Sequence, residues 1–345
     1  MTTITKISGT VNADLPVLTK NYGIVSNTEE GVFLSELEKA GQILDTTGRT
    51  AVSEFFDEGK RSGWLSKLLY VLPFVGNGAF PSAAAVPMID RFHGYKPLTF
   101  GKSGEGLLED VDFSAAIATS SSGNITGVKP WATDTCIVAP LTSYDLFAKC
   151  KGCANVGNGN YGVIWYGRIA SWEKGKTGRF AGAGTDTAAE NYLGISTEGH
   201  FYQKLMGRDI RSADAGSAIT AGGFHLLSED IADRTYGKNI TKYRLRAGSI
   251  PTATEVADET AERDSVTSVP EALKNTRWGI NAHWNNATNS VTHSYTTTDI
   301  ETRFLAWHDG TLDASDEATF LPALRKLLSA FGKLPITIAP PSTKA

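Results

Sequence analysis

The sequence predicts a mainly β protein, an antiparallel sandwich of two sheets, and three observations carry this. From about residue 97 the apolar period is two. Val163, Trp165 and Ile169 alternate with Ile164, Tyr166 and Arg168, and Phe224 and Leu226 with His225 and Leu227. Trp278, Ile280 and Ala282 alternate with Gly279, Asn281 and His283, and Phe304 and Ala306 with Leu305 and Trp307. Successive strand side chains point to opposite faces, so each set marks one face of a sheet. Where both sets are apolar, a sheet packed by its partner on one side and partly covered on the other is expected. The 35 glycines, with many Thr, Ser and Asn, suit turns and strands rather than a helical bundle. Turn signals at Ser122-Gly123-Asn124, Gly157-Asn158-Gly159 and Asp309-Gly310 separate the strands.

Taken in order, residues 1–49 read as an N-terminal arm, Thr-rich at first and suited to docking or oligomerisation. Within it, Phe33, Leu37, Ala40 and Leu44, flanked by Leu34 and Ile43, predict a helix over 31–46, weakened by Gly41. Residues 50–96 read as a helical lead-in packed on the sandwich. Val52, Phe55 and Phe56 share one helix face, Gly59 and Ser62-Gly63 interrupt it, and Trp64, Leu65, Leu68 and Leu69 repeat the pattern until Pro73. Residues 97–333 form the sandwich with a C-terminal helix. Inside it, the acidic, poorly periodic stretch 253–268 reads as an exposed loop. Asp313 caps the closing helix, with Asp316 and Glu317 in its first turn. Phe320, Leu324, Leu327, Leu328 and Phe331 make its stripe, and Gly332 stops it. Pro322 divides this region into two helices, the second capped by Thr319. Residues 334–345 read as an extended tail.

The composition excludes several classes. The 345 residues are ample for a core without disulfide or metal staples. A net charge of -4, with no basic stripe interleaved with aromatics, argues against nucleic acid as a partner. No run of 18 apolar residues exists to insert into a membrane. The first residues lack the basic and apolar regions of a signal peptide, so synthesis in a cytoplasm is expected. Cys136, Cys150 and Cys153 are too few, and odd in number, for a disulfide framework.

Two stretches resemble a known family. Gly63-Trp64-Leu65-Ser66-Lys67-Leu68-Leu69-Tyr70-Val71-Leu72-Pro73-Phe74-Val75-Gly76 resembles the lead-in of many phage virion proteins: a Gly-Trp-x-x-Lys-Leu helix, then a Pro-Phe-Val-Gly turn. Residues 303–317, Arg303-Phe304-Leu305-Ala306-Trp307-His308-Asp309-Gly310-Thr311-Leu312 and the acidic helix start that follows, resemble their closing signature. Gly123-Asn124-Ile125-Thr126-Gly127 and Tyr236-Gly237-Lys238-Asn239 are weaker echoes, the second departing from the family's Tyr-x-Asn-Gly order. The resemblance spans roughly 50–332. It implies a concanavalin A-like or laminin-G-like jelly roll on a bacteriophage particle, in a tail-fibre, receptor-binding or capsid-decoration role. The expected location is the virion, after synthesis in a bacterial cytoplasm. The implied partners are other virion proteins, a host-surface glycan or receptor, and further copies in a homo-oligomer. Fold alone does not decide among these roles.

Chemical motifs were weighed against simpler explanations. Gly157-Asn158-Gly159-Asn160-Tyr161-Gly162 has dinucleotide spacing, but Val163-Ile164-Trp165-Tyr166 reads as a strand where that chemistry needs a helix. Cys150-Lys151-Gly152-Cys153 lacks the context of a redox pair and the four ligands of a zinc site. Glu109-Asp110-Val111-Asp112 approaches a glucanase motif without its third acid, and Glu259, Glu262 and Asp264 fall in the acidic stretch. No Gly-x-Ser-x-Gly elbow or His-x-x-x-His pair occurs. No catalytic, metal or cofactor residue is therefore assigned, and a binding or structural protein rather than an enzyme is expected. For glycan binding, the candidates are His283, Trp284, Asn285 and Asn286, with Trp131 and Trp172 as further platforms. The alternative for Trp284 is that it plugs a loop against the sandwich. Asn124, Asn239 and Asn286 match N-x-Thr by chance if the producing cell is bacterial.

Overall fold

The computed structural model of the chain describes residues 28–108, 112–132, 134–151, 161–171, 175, 177–184, 190–195, 197, 201–205, 208–211, 223–232, 238–247, 254–264, 275–292, 299–309, 312 and 314–334. Two helices, α1 (Glu29–Lys39) and α2 (Thr46–Ser62), precede β1 (Leu68–Leu72), β2 (Ile89–Asp90), β3 (Thr99–Lys102), β4 (Gly106–Leu108), β5 (Ile117–Thr119), β6 (Ile125–Val128) and β7 (Thr135–Thr142). A third helix, α3 (Ser143–Lys151), leads to β8 (Gly162–Ser171), β9 (Gly178–Gly184), β10 (Glu190–Ile195), β11 (Phe201–Leu205) and β12 (Arg208–Arg211). The remainder is β13 (Gly223–Ala232), β14 (Lys238–Ala247), β15 (Thr254–Asp264), β16 (Arg277–Ile280), β17 (His283–Asn285), β18 (Ser290–Thr292), β19 (Asp299–His308) and α4 (Ala314–Ala330).

These strands form an antiparallel jelly-roll β-sandwich. The first sheet runs β15-β14-β13-β8-β19-β1-β2, with β6 on β19 and β5 on β6. The second runs β12-β11-β10-β9-β16-β7-β3-β4, with the β17–β18 hairpin attached at β9. The two face each other across a core containing Tyr70, Trp165, Phe180, Trp278, Leu305 and Trp307. Trp165 of the first sheet stacks on Phe180 of the second, ring centroids 3.9 Å apart.

The first sheet is also buried on its other face. Val71, Ile164, Tyr166, Phe304 and Ala306 point away from the second sheet into a separate core with Phe33, Phe55, Trp64, Phe320 and Leu324. The alternation of Phe304 and Ala306 with Leu305 and Trp307 thus divides two cores, one per face. Trp64 packs edge-on against Phe55 (4.9 Å) and Phe320 (5.1 Å), joining α2 to α4. Such contacts are each worth roughly 0.5–1.5 kcal/mol beyond burial.

Several expectations need correction. Leu68–Leu72 is a strand, not helix, and only Trp64–Lys67 keeps a single 3-10 turn. All five strand residues are buried because both sheet faces are covered, and an apolar run without alternation looks helical in sequence. The first sheet therefore recruits residues well before 97. Gly59 does not break α2: a Cβ there would stand 2.7 Å from the Trp64 ring, so the glycine admits the indole. The helix ends at Gly63, φ 86. The predicted helix over 31–46 stops at Lys39, and Gly41 (φ 84) turns the chain. Phe33, Leu37 and Leu44, assigned to an arm, belong to the helix-side core; residues 1–27 lie outside the described residues. The acidic stretch is a strand, β15, whose Asp258 and Asp264 register against Arg244 and Lys238 of β14.

Pro322 lies inside one continuous helix rather than between two. It is exposed, as is Ala318 one turn earlier, so water can reach the carbonyl that loses its partner. Phe320, Leu324, Leu327, Leu328 and Phe331 hold the opposite face. Gly332 (φ 66) ends the region, and the Lys333 amide donates to Leu328 O. Asp313 and residues 335–345 lie outside the described residues, as do Glu109–Val111, Cys153 and Gly157–Asn160. Asp112 accepts from Ser114 N and Oγ at the start of a 3-10 turn. A strand, β8, follows the glycine-rich stretch.

Candidate functional site

Five of the six proposed sugar contacts sit in or against the protein's own packing. Trp284 is fully buried and packs with Cys136, Val138 and Ala282 on the outer face of the second sheet. Two glycines make room: a Cβ on Gly101 would stand 2.5 Å from the indole, and one on Gly279 3.1 Å from Trp284 Cβ. The ring therefore has no free face for stacking, and the hairpin plugs the sheet. His283 is also fully buried. Asn285 is buried, its Oδ1 accepting from Ala287 N (3.0 Å) and Thr288 N (3.3 Å) to shape the β17–β18 turn. Asn286 is half-buried, its Oδ1 3.4 Å from Trp284 Nε1. Trp131 is half-buried against Phe100, centroids 4.2 Å apart. Trp172 lies outside the described residues.

Exposed large apolar side chains among the described residues are Ile43, Phe80 and Tyr144. Tyr144 stands on the first turn of α3, where neighbouring polar groups satisfy one another. Thr142 and Asp145 form a reciprocal helix cap, with Thr142 N and Oγ1 donating to Asp145 Oδ2 (2.8 and 2.6 Å). His93 Nε2 lies 3.2 Å from the same oxygen.

Phe80 and Ile43 differ, because Phe80 packs on Gly41 in the α1–α2 link that also carries Ile43. Positive φ at Gly41 brings its bare Cα beneath the Phe80 ring: a Cβ would stand 2.9 Å from Cδ1. The ring is thus packed against glycine while the residue stays 45% exposed. Pro81 follows at the first position of the 3-10 turn Pro81–Ala85, fixing the backbone beneath the ring. Around it lies a polar turn system. Asn77 bridges Asn124, and Gly78 N donates to Gly123 O (2.8 Å), locking the 76–80 loop onto the β5–β6 turn. Gln42 Oε1 accepts from Asn77 N (2.7 Å), tying the same loop to the α1–α2 link. Asn77 Oδ1 accepts from Ala79 N (2.9 Å), and Ser120 Oγ pairs with Ser122 Oγ (2.8 Å). Among the described residues, Asn77 Nδ2 and the side-chain amide of Asn124 make no hydrogen bond, while Asn124 N donates to Ser120 Oγ (3.2 Å). The arrangement is an exposed aromatic ring on a loop with amide and hydroxyl groups, held by hydrogen bonds to two other segments.

Sequence reasoning missed Phe80. Asn77-Gly78-Ala79-Phe80-Pro81 reads only as a turn, and the residue beneath the ring, Gly41, is nearly forty positions away.

No family model matches the chain, and no curated protein matches it. Solved structures with similar folds include the IT-sialidase CBM40 of Ruminococcus gnavus, at 10% identity and TM-score 0.33, covering 47% of this chain and 82% of that one. The botulinum neurotoxin serotype C1 binding domain matches at 10% identity and TM-score 0.44, covering 75% and 52%. A GH54 α-L-arabinofuranosidase matches at 10% identity and TM-score 0.36, covering 67% and 46%.

Proposed function

We propose that this chain is a glycan-binding jelly-roll module, and that it serves as an appendage of a bacteriophage particle attaching to host-surface carbohydrate. The observation that carries the binding role is Phe80, packed against Gly41 yet 45% exposed, on the loop tied through Asn77 to Asn124 and the Ser120–Ser122 turn. A sugar ring has an apolar face flanked by hydroxyls, and an aromatic platform with amides at its edge complements both. The virion role rests on the resemblance of residues 63–76 and 303–317 to phage proteins. Weak single sites of this kind gain from repetition, so a symmetric oligomer would suit the role.

The test is a glycan array and a host-cell binding assay with the wild type and Phe80→Ala. Because the ring is half-exposed, the variant should keep its melting temperature within a degree or two while losing tenfold or more in affinity, about 1.4 kcal/mol. Equal binding by the two proteins would remove the Phe80 rim as the site. Immunogold labelling of purified particles tests the virion role, and absence of label from intact particles would dismiss it. A connector acting only through protein contacts is the second reading, favoured by the apolar neighbour Ile43, 54% exposed. It predicts particle incorporation that Phe80→Ala weakens while glycans fail to compete.

A further inference from the structure

The second sheet carries a buried cation without a counter-charge. Arg179, second residue of β9, is only 5% exposed. An arginine stays protonated under all ordinary conditions. Taking such a charge out of water costs several kcal/mol unless an anion or a full set of acceptors compensates. Here the compensation is partial. The guanidinium carbon sits 3.5 Å over the centre of the Tyr192 ring, a favourable but incomplete substitute worth roughly 2 kcal/mol. Nη1 reaches Gly178 O at the long distance of 3.5 Å. Nε is buried and meets no acceptor, and among the described residues no carboxylate pairs with the side chain.

The local backbone keeps this group near the start of β9, an interior strand of the second sheet. Arg179 registers opposite Gly194, across an irregularity in the β9–β10 pairing that ends one residue further at Gly178 and Ile195. Beyond that end, Gly175 N donates to Thr197 O (2.8 Å), so the segment before β9 stays tied to the segment after β10. A side chain at position 194 would collide with Gly178 O, so the two strands approach unusually closely beside the arginine. Tyr192 and Gly182 face each other across the pair, and a Cβ on Gly182 would touch both Tyr192 Cβ (3.3 Å) and His283 Cα (3.5 Å). The arginine is therefore held by its flat face at the rim of a well-packed surface, with the edge that bears Nε unused.

We propose that Arg179 is an anion-binding residue that receives a ligand carboxylate through Nε and a terminal nitrogen, with Tyr192 positioning the guanidinium. A carboxylate fits because its two oxygens match the spacing of two guanidinium donors, giving paired charge-assisted hydrogen bonds. The carboxylate is a free small acid or the acid group of a sugar. This site stands on the second sheet, built from elements that the Phe80 rim does not use.

The experiment follows the arginine side-chain Nε–H resonances of the full-length, ¹⁵N-labelled protein while sodium acetate or sodium glucuronate replaces sodium chloride at constant ionic strength. The Arg179 signal is identified by its loss in Arg179→Lys. It should shift saturably with carboxylate and not with chloride, and glucuronate binding at least tenfold tighter than acetate would identify a sugar acid as the source. Thermal melts give a second readout. Carboxylate should raise the melting temperature of the wild type and of Tyr192→Phe, which keeps the ring, but not of Arg179→Gln. An Nε–H resonance insensitive to both acids, or an equal thermal response in Arg179→Gln, overturns the proposal. Each outcome is independent of Phe80, since loss of glycan binding in Phe80→Ala leaves the acetate titration unchanged.

Discussion

At the scale of single residues, a few polar side chains decide how the two sheets are joined. Asn281 adopts φ 57 where the chain turns from β16 to β17. It donates from Nδ2 to Val128 O (3.0 Å) and accepts from Thr302 Oγ1 (2.5 Å), which in turn accepts from Trp165 Nε1 (2.9 Å). This buried chain of bonds pins the second sheet to three strands of the first. Asn281→Ala loses the bonds and keeps the left-handed backbone, so a destabilisation on the order of 3 kcal/mol is expected. Asn281→Gly relieves the backbone only and should be less damaging; urea unfolding of the three proteins reads the difference, and equal stability of the two variants would show that backbone strain is negligible. The same scale shows where sequence reasoning failed. Trp284 beside Asn285 and Asn286 looks like a sugar-binding cluster, and nothing local reveals that Gly101 and Gly279 have cleared a berth for the indole. Phe80 shows the reverse: its exposure depends on Gly41, which contributes only a missing Cβ.

At the scale of elements, the helices are fastened by contacts their own sequences do not display. Lys333, just beyond α4, is fully buried, and its ammonium donates to Pro73 O (2.5 Å), Phe74 O (2.9 Å) and Arg303 O (3.0 Å). Arg303 in turn donates to Lys333 O and pairs with Glu301 (2.9 Å). Burial, with Arg303 nearby, lowers the lysine pKa well below its usual value, so the site tolerates the charge at a cost. Lys333→Met fills the space but strands three carbonyls, and a loss of roughly 3–5 kcal/mol is expected in chemical denaturation. A variant as stable as wild type would mean that water replaces the ammonium. Amphipathic stripes made the cores of α2 and α4 legible, because a 3.6-residue period survives any tertiary setting. β1 and β15 were not legible. The former is apolar on both faces, and the latter carries no apolar alternation.

At the scale of the whole molecule, the sandwich itself was readable because period-two alternation over β8, β16 and β19 reports two distinct surroundings for the two faces. What the alternation could not tell was that one of those surroundings is a helical layer. The doubly covered sheet has a consequence at high pH. Burial raises the phenol pKa of Tyr70, with Asp90 adding to it, and that of Tyr166. Tyr95 is pushed up to about 12 by burial and by Glu29. A phenol whose folded pKa exceeds its unfolded value near 10 contributes stability that is complete below that pH and lost as pH rises through the folded pKa. Melting temperatures should therefore fall between about pH 9 and about pH 11.5, and less steeply for Tyr95→Phe. A flat profile, or identical slopes for the two proteins, would contradict this.

The position of β19 has a bearing on how the chain comes to be folded at all. It lies between β8 and β1 at the centre of the first sheet, although in sequence it follows every other strand among the described residues. Until it emerges, Leu68–Leu72 has only the two-residue partner β2, and Trp165 lacks the threonine that accepts its N–H. Long-range closure of this kind is slow, and it leaves apolar strand edges open while synthesis continues. The chain must be synthesised through β19 before these edges can close.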